Sequence, residues 1–373
     1  MSPTVCLVAN TLAYPSGGGH RWAYLNWALG LRAAGSEVLW LETVQPDMED
    51  DERRRCEEAL RLDLKRHGLV DSLLLYDERG ERLSNELLEV LDRPLDVLLT
   101  LNYYVPPPLR TVARRTVLLD LDPGLTQLWI RAGYLQVSGY DMYFSIAAGA
   151  RRQGGLPDCG IEWRGTSPCV HVAAWPLANA EPGAPYTTVS HWWTATESEG
   201  YIEFDGEWVE NSKRAGFEPF LTLPGQASVP LELALGGLDS PEEERRLRSL
   251  GWRVRDAATV TSTTASYASY IRDSRGEFSC CKPSVTRLRS GWVSDRTLCY
   301  LASGKPCVVQ YSGELGLAQD ACGLLQFRTQ QDAAQALLEV ESDYARYSRG
   351  ARALAEGRFD AARVAGALLE EVL

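Results

Sequence analysis

The feature that most constrains the fold is a repeated alternation between short apolar runs and segments of helical periodicity. Residues 96–101 and 116–121 carry almost uninterrupted apolar side chains, which is typical of parallel strands covered by helices on both faces. Apolar residues from 20 to 34 instead recur at helical spacing, and Gly35 follows them as a stop signal. This alternation predicts an α/β protein built on parallel sheets.

The alternation occurs twice, on either side of a Gly- and Pro-containing segment at 178–185 that is typical of a link between domains. A chain of 373 residues is also long for a single domain. We therefore predict two Rossmann-like lobes, residues 1–183 and 184–373, that face each other across a cleft. Whether the last helix returns to the N-terminal lobe stays open.

Periodicity and turn signals also predict the individual elements. Strands are expected at 5–9, 38–41, 70–76, 96–101, 116–121, 141–146, 187–191, 231–235, 252–254, 277–282 and 306–310. Helices are expected at 20–34, 48–68, 85–91, 212–221, 241–250, 265–272 and 294–303, with two more at about 330–347 and 350–372.

Charge and cysteine usage narrow the class of protein. Acidic residues number 50 and basic residues 38, for a formal net charge of -12, which argues against a nucleic-acid partner but allows a local basic pocket. No apolar run is long enough to span a membrane, and no signal peptide is visible. The nine cysteines form no Cys-x-x-Cys pair. We expect a cytoplasmic protein with reduced thiols and no disulfide framework or zinc site.

A glycine-rich loop, Gly17, Gly18 and Gly19, follows the first predicted strand and opens the first predicted helix. The free N–H groups and the dipole of a helix start attract anions. A dinucleotide site is one interpretation, with Glu42 in the place of a ribose-binding acid. The glycine spacing fits such a site poorly, because seven residues separate the strand from the glycines and Trp22 stands where a third glycine is needed.

His20 directly follows these glycines and is a candidate general base, because histidine is the side chain most easily poised to accept a proton at neutral pH. Asp120 and Asp122 follow a predicted strand, at the carboxyl edge where α/β sheets bind ligands, so either could orient His20. Two alternatives stay open. One is an Asp-Pro-Gly turn beside a capping histidine, and the other is a metal site at the two aspartates.

A cluster of cations surrounds a helix start in the second half. Ser294 is a good N-cap, Asp295 suits the first turn and Gly304 is a good stop residue. Free N–H groups beside cations are what a diphosphate needs. A capped structural helix with surface charges would give the same sequence pattern. The basic residues of this cluster are Lys282, Arg287, Arg289 and Arg296.

Two windows of the sequence resemble the GT-B glycosyltransferases. Residues 15–43, with Pro-Ser-Gly-Gly-Gly-His before a helix and a strand, are similar to the opening of these enzymes. In inverting members, a Gly-His at this place supplies the base that deprotonates the acceptor hydroxyl, and an Asp at a later strand end holds it. The resemblance therefore implies that His20 is the base and that Asp120 or Asp122 orients it.

The second window, residues 282–313, is similar to the nucleotide-sugar donor site of this family, in which a Gly-rich turn enters a helix that ends in Gly-x-Pro before a strand. One departure is that family members usually carry a ribose-binding Glu inside the helix, whereas this chain has Leu298, Cys299 and Tyr300 there. The donor-binding residues that the cluster and the resemblance together imply are Lys282, Arg287, Ser290, Gly291, Ser294, Asp295, Arg296, Gln310 and Glu314.

The resemblance implies a glycosyltransferase that moves a sugar from a nucleotide-sugar to a hydroxyl of a small-molecule or saccharide acceptor. Helix N–H groups and cations would stabilise the leaving diphosphate, so no metal or other cofactor is expected. Direct displacement with His20 as the base would invert the anomeric centre, while a retaining mechanism stays open. The rival classes are a nucleotide-sugar epimerase, a non-catalytic nucleotide- or sugar-binding relative and a nicotinamide oxidoreductase.

Overall fold

A computed structural model describes residues 2–83, 95–147, 156–193, 200–204, 206–318 and 321–373. It contains two separate parallel sheets with helices on their faces, which confirms the predicted fold class. The helix predicted at 85–91 lies outside the described residues. None of the described helices is long and apolar enough to cross a membrane.

The first sheet has seven parallel strands in the order β3-β2-β1-β4-β5-β6-β7. Its strands are β1 (Thr4–Ala9), β2 (Glu37–Thr43), β3 (Leu73–Tyr76), β4 (Leu95–Thr100), β5 (Ala113–Asp120), β6 (Met142–Ser145) and β7 (Arg164–Gly165). Its helices are α1 (Gly18–Ala33), α2 (Asp50–Arg66), α3 (Pro107–Arg110) and α4 (Leu125–Ala132).

The second sheet has six parallel strands in the order β12-β11-β8-β13-β14-β15. Its strands are β8 (Tyr186–His191), β11 (Leu231–Gly236), β12 (Arg253–Asp256), β13 (Gly276–Ser279), β14 (Cys307–Gln310) and β15 (Leu324–Phe327). Its helices are α5 (Lys213–Phe217), α6 (Pro241–Ser249), α7 (Ala258–Thr261), α8 (Thr264–Asp273), α9 (Pro283–Leu288) and α10 (Asp295–Ala302). An antiparallel hairpin, β9 (Tyr201–Phe204) and β10 (Glu207–Glu210), stands apart from both sheets.

The C-terminal region forms three helices where two were predicted: α11 (Gln330–Ser342), α12 (Tyr344–Arg358) and α13 (Ala361–Val372). The extra break has a local cause, since Asp343 and Asp360 each accept a hydrogen bond from a main-chain N–H three residues later and so begin a new helix. Helix α13 packs against α1 so closely that a Cβ on Gly30 would lie 2.6 Å from Ala361 Cβ. We keep residues 183 and 184 as the predicted boundary between the lobes.

A buried polar contact joins the two lobes. Arg21 of α1 forms an ion pair with Asp63 of α2, and both side chains are fully buried. The Thr264 hydroxyl from α8 of the second lobe donates to Asp63 at 2.9 Å, and the Trp22 indole donates to the Thr264 carbonyl at 2.9 Å. Because a buried charge is stable only when it is paired and hydrogen-bonded, this network fixes α1 against α8 and positions the loop that precedes α1.

Candidate active site

The order of the strands indicates where ligands bind. Each sheet has one point at which the strand order reverses, between β1 and β4 in the first and between β8 and β13 in the second. Crevices outside the carboxyl ends of such strands are the usual ligand sites of α/β proteins. The glycine-rich loop follows β1, and Cys280 to Lys282 follow β13.

A cleft of about 430 Å³ lies between the glycine-rich loop and the second sheet. The first lobe contributes Gly17, Gly19 and His20 to its wall. The second lobe contributes the carboxyl ends of β8, β11 and β12, including His191 and Asp256. Both lobes therefore line the cleft. Its volume is in the range of small-molecule sites.

His20 lies at the start of α1, and its Nε2 is 2.9 Å from the main-chain carbonyl of Asn10. A carbonyl only accepts, so the hydrogen is on Nε2 and the lone pair is on Nδ1. The ring stands between Tyr14 and Tyr24, at centroid distances of 4.6 and 5.1 Å. Although the residue keeps an exposed face, loss of surrounding water lowers the pKa of His20, so the imidazole is neutral at pH 7 and can accept a proton.

Asp120 does not bond to His20. Its carboxylate is fully buried and accepts hydrogen bonds from Thr126 at 2.6 Å, Gln127 at 3.0 Å and Ser145 at 2.8 Å. It therefore holds the turn into α4 instead of orienting the imidazole. The Asn10 carbonyl takes the orienting place that the sequence assigned to an aspartate, and no side-chain pattern in the sequence could reveal a main-chain partner.

Asp122 lines a small cavity with Lys213 and Lys282 of the second lobe, and it acts on His20 through its charge. The negative charge of Asp122 favours protonated His20, and Lys282 and His20 in turn favour ionised Asp122. Although the residue keeps an exposed face, loss of surrounding water outweighs these effects and raises the pKa of Asp122. Burial and the charge of Asp122 together raise the pKa of Asp295 in the second lobe to about 7. His20, Asp122, Lys282 and Asp295 thus form one electrostatic group across the cleft.

The glycines of the loop serve close packing between the lobes. A Cβ on Gly18 would lie 2.2 Å from the Thr263 carbonyl oxygen, and a Cβ on Gly19 would lie 2.7 Å from the Tyr267 ring. Gly17 is the N-cap residue of α1, and a Cβ there would meet the Tyr14 carbonyl oxygen at 3.0 Å. The interpretation of this loop as an anion cradle is therefore replaced by one in which the glycines bring α1 against the second lobe.

Glu42 has no capacity left for a ribose. Its buried carboxylate accepts from the Thr11 and Leu12 main-chain N–H groups, the Thr11 hydroxyl and, at 2.9 Å, the Trp40 indole. These bonds fix the loop after β1. The interpretation as a dinucleotide site therefore loses Glu42 as its ribose-binding residue.

Two lysines line a second, smaller cavity. Lys282 and Lys213 line it together with Asp122 and Trp292. The Lys213 ammonium is buried and donates to the Cys280 carbonyl at 2.6 Å, which leaves two of its three hydrogens for other acceptors. Burial, with a smaller effect from Arg296, lowers the pKa of Lys213 to about 8. The sequence signal for Lys213 was weak: a lysine directly after the cap of a short helix, where Ser212 accepts from Ala215 N.

Arg296 and Arg287 have structural partners instead of an open site. The Arg296 guanidinium donates to buried Glu277 at 2.8 Å, to the Val189 carbonyl at 2.9 Å and to Ser279 at 2.6 Å. Arg287 lies 5.2 Å from the Phe204 ring and 3.5 Å from Glu207, both on the β9–β10 hairpin. Arg296 thereby joins β8 to β13, and Arg287 joins α9 to the β9–β10 hairpin.

The other predicted donor residues surround the start of α10. Ser294 is the N-cap residue, and its side chain makes no capping bond. Gly291 has φ 71°, and a Cβ there would lie 2.8 Å from the Glu314 carbonyl oxygen. Gln310 accepts from Cys281 N at 2.8 Å, and exposed Glu314 accepts from the Tyr311 hydroxyl at 3.0 Å. The buried Ser290 hydroxyl has no hydrogen-bond partner among the described residues.

The whole chain can be compared with solved structures, although no protein-family model matches it and no curated protein matches it in sequence. It is similar to HepE of Anabaena in complex with UDP-glucose, with TM-score 0.56 and 11% identity over 99% of this chain and 98% of HepE. It is similar to sucrose-phosphate synthase from Thermosynechococcus elongatus (TM-score 0.52, 13% identity, 99% and 98% of the chains). It is also similar to AviGT4, a glycosyltransferase involved in avilamycin A biosynthesis (TM-score 0.55, 13% identity, 99% and 96%).

The chain has the GT-B fold. In this GT-B structure, the residues of α10 that stand in place of a ribose-binding Glu are packed into the core. Leu298, Cys299 and Tyr300 are all buried, so this part of α10 presents no polar side chain to the cleft. The nucleoside end of a donor would have to find polar partners elsewhere, and Asp256 and His191 line the same cleft.

No group of three or more His, Cys, Asp or Glu residues that could hold a metal ion occurs among the described residues of this GT-B chain. All nine cysteines are free. Asp120 and Asp122 have different surroundings, since Asp120 accepts buried hydrogen bonds and Asp122 lines the cavity of Lys213 and Lys282.

Proposed function

We propose that this chain is a glycosyltransferase that moves a sugar from a nucleotide-sugar donor to a hydroxyl group of an acceptor. The observation that carries the proposal is the shared cleft, in which His20 of the first lobe faces the strand ends of the second. Similarity in fold to HepE, sucrose-phosphate synthase and AviGT4 supports the same reaction class. HepE was solved with UDP-glucose, so a uridine nucleotide is the first donor to test.

The donor diphosphate is placed between Lys213, Lys282 and the start of α10. Lys213 and Lys282 bring two positive charges to one cavity wall, and the first N–H groups of α10 add a positive dipole end. Charge-assisted hydrogen bonds from these groups would stabilise the leaving diphosphate as its charge develops. This arrangement would do so without a metal ion.

The acceptor reaction uses His20 as the base. Its Nδ1 takes the proton of the acceptor hydroxyl while that oxygen forms a bond to the anomeric carbon. The bond from the anomeric carbon to the phosphate oxygen breaks, and the diphosphate leaves with the electron pair. A single displacement of this kind inverts the anomeric configuration. Asp122 would stabilise the imidazolium through its nearby negative charge.

The test is to incubate the protein with UDP-, GDP-, ADP- and dTDP-sugars and a mixture of mono- and oligosaccharide acceptors, in EDTA, and to follow the products by NMR. The proposal predicts nucleoside diphosphate release with a new glycosidic bond of inverted configuration. A retained configuration would remove the direct displacement. Donor binding without any consumption would instead favour the non-catalytic relative, which the missing ribose-binding Glu makes the second candidate.

A further inference from the structure

A second groove lies beside the cleft, between α4 of the first lobe and the β9–β10 hairpin of the second. Its volume is about 460 Å³. Leu128, Trp129 and Tyr134 line it on one side, and Tyr201, Glu203 and Trp208 on the other. Neither the sequence motifs nor the proposed reaction accounts for it.

The aromatic side chains of this groove are unusually exposed. Tyr134, Tyr201 and Trp208 have 57%, 52% and 57% of their surface accessible. Aromatic side chains generally bury most of their area, so three exposed aromatic rings around one groove indicate a ligand-binding surface. Flat apolar rings beside charged groups such as Arg131 and Glu203 suit sugar rings, which present C–H faces and hydroxyl edges.

The geometry of the hairpin directs these rings into the groove. Successive strand residues point to opposite faces, and Glu203 pairs directly with Trp208 while Tyr201 pairs with Glu210. One hairpin face therefore carries Tyr201, Glu203 and Trp208 together. The opposite face carries Phe204 and Glu207, which Arg287 of α9 contacts.

The hairpin is anchored to the donor side of the second lobe. Asn211, buried at its base, donates its N–H to the Gly200 carbonyl at 2.7 Å and accepts from Ser284 N at 3.0 Å. Arg287, four residues after Pro283 begins α9, holds the other face. A ligand in the groove would thus bind a surface fixed to both lobes.

Helix α4 connects the groove to the cleft. Leu125, at its first position, lines the cavity of Asp122, Lys213 and Lys282, while Leu128 and Trp129 line the groove. Four residues of α-helix span about 6 Å, roughly one turn. A chain of linked sugars in the groove could therefore extend its terminal ring toward Asp122 and His20.

We propose that this groove binds the sugar rings of a saccharide acceptor that lie behind the ring to be modified. The inference rests on the proposed function and specifies its acceptor as an oligosaccharide or a glycoside, with Trp208 and Tyr201 as the stacking surfaces. It also gives Arg287 its role, as the residue that holds the hairpin in place.

The test measures binding of a fixed panel without donor: maltotriose, cellotriose, laminaritriose, mannotriose and chitotriose, with the corresponding monosaccharides. Saturation-transfer NMR detects binding, and calorimetry gives the Kd. We expect at least one trisaccharide to bind more tightly than its monosaccharide. Trp208→Ala should weaken it by about tenfold or more, the effect of losing an aromatic anchor, and Trp208→Phe should keep most of the affinity.

Tyr104→Ala is the matched control, because Tyr104 is 48% exposed on the first lobe and does not line the groove. It should leave the trisaccharide affinity unchanged. The inference is overturned if no panel member binds, or if Trp208→Ala and Tyr201→Ala bind it as wild type does. UDP, GDP, ADP, CDP and dTDP titrated into the same proteins separate the two proposals. If none of them binds, the glycosyltransferase is contradicted, whereas intact nucleotide binding without saccharide binding contradicts the groove alone.

Discussion

The Nε2 atom of His20 lies 2.9 Å from the main-chain carbonyl oxygen of Asn10, in the loop that joins β1 to α1. The contact selects one tautomer and leaves Nδ1 as the proton acceptor. Because its partner is main chain, the orientation of the imidazole depends on the loop and not on a neighbouring carboxylate. Buried Glu42 holds that loop through Thr11 and Leu12.

Replacing His20 tests its role as the base. His20→Ala should cut glycosyl transfer by about 10² or more, the usual size of a general-base effect, and should leave nucleotide binding intact. Steady-state kinetics and UDP calorimetry measure the two effects. His67→Gln, which changes a histidine at the end of α2, is the control. Wild-type turnover in His20→Ala would remove the histidine from the mechanism.

The pH profile provides a second test of the same group. The neutral imidazole is the active form, so kcat/KM should rise with pH through the pKa of His20. Burial lowers that pKa below its ordinary value of 6.5, so the rise should be complete by neutral pH. The value of kcat/KM should fall again as Lys213, whose pKa is lowered to about 8 by burial, loses its proton. A low-pH limb centred above 6.5, or one that persists in His20→Ala, would contradict this assignment.

Lys213 and Lys282 should carry much of the diphosphate affinity. Lys213→Ala and Lys282→Ala should each weaken UDP binding by about tenfold or more, the cost of losing one charge-assisted hydrogen bond. Lys65→Ala, at an exposed site on α2, should bind UDP as wild type does. Calorimetry at constant ionic strength gives the three affinities, and equal values would place the diphosphate elsewhere.

Replacing Arg296 should chiefly lower the free energy of unfolding. Arg296→Ala leaves Glu277, which is fully buried, without its partner, and breaking a buried pair in this way costs about 3–5 kcal/mol. Chemical denaturation should show this loss in the free energy of unfolding. The sequence pattern instead predicts Arg296 at the diphosphate. A variant of unchanged stability with weakened UDP binding would support that placement over the present one.

Gly18 should tolerate no side chain, because a Cβ there would lie 2.2 Å from the Thr263 carbonyl oxygen. Gly18→Ala should lower the melting temperature, since main-chain atoms of the other lobe must move. Gly357→Ala is the contrasting variant: its Cβ meets nothing, and it lies within α12. Alanine there should stabilise the protein by about 0.5–1 kcal/mol. Differential scanning calorimetry compares the two, and equal melting temperatures would exclude tight packing at Gly18.

The sequence predicted the fold because parallel strands buried on both faces leave continuous apolar runs, such as those of β4 and β5. It predicted the cleft position of His20 and Asp122 because loops after such strands collect at one edge. It missed the Asn10 carbonyl, since main-chain partners leave no residue signature. It could not show the structural partners of Asp120, Arg287 and Arg296, because a sequence shows charge and not the partner that lies beside it. The groove could not be predicted from the sequence either, since Tyr201 and Trp208 become neighbours of α4 only through tertiary folding.

The most direct test of the central claim is a calorimetric titration of UDP, GDP, ADP, CDP and dTDP into wild type, Lys213→Ala and His20→Ala. The account predicts that at least one nucleotide binds wild type, that Lys213→Ala weakens it by about tenfold or more, and that His20→Ala binds it equally well. If Lys213→Ala binds the nucleotide as wild type does, the diphosphate lies elsewhere. If none of the five nucleotides binds wild type, the cleft is not a nucleotide-sugar site and the proposed function is wrong.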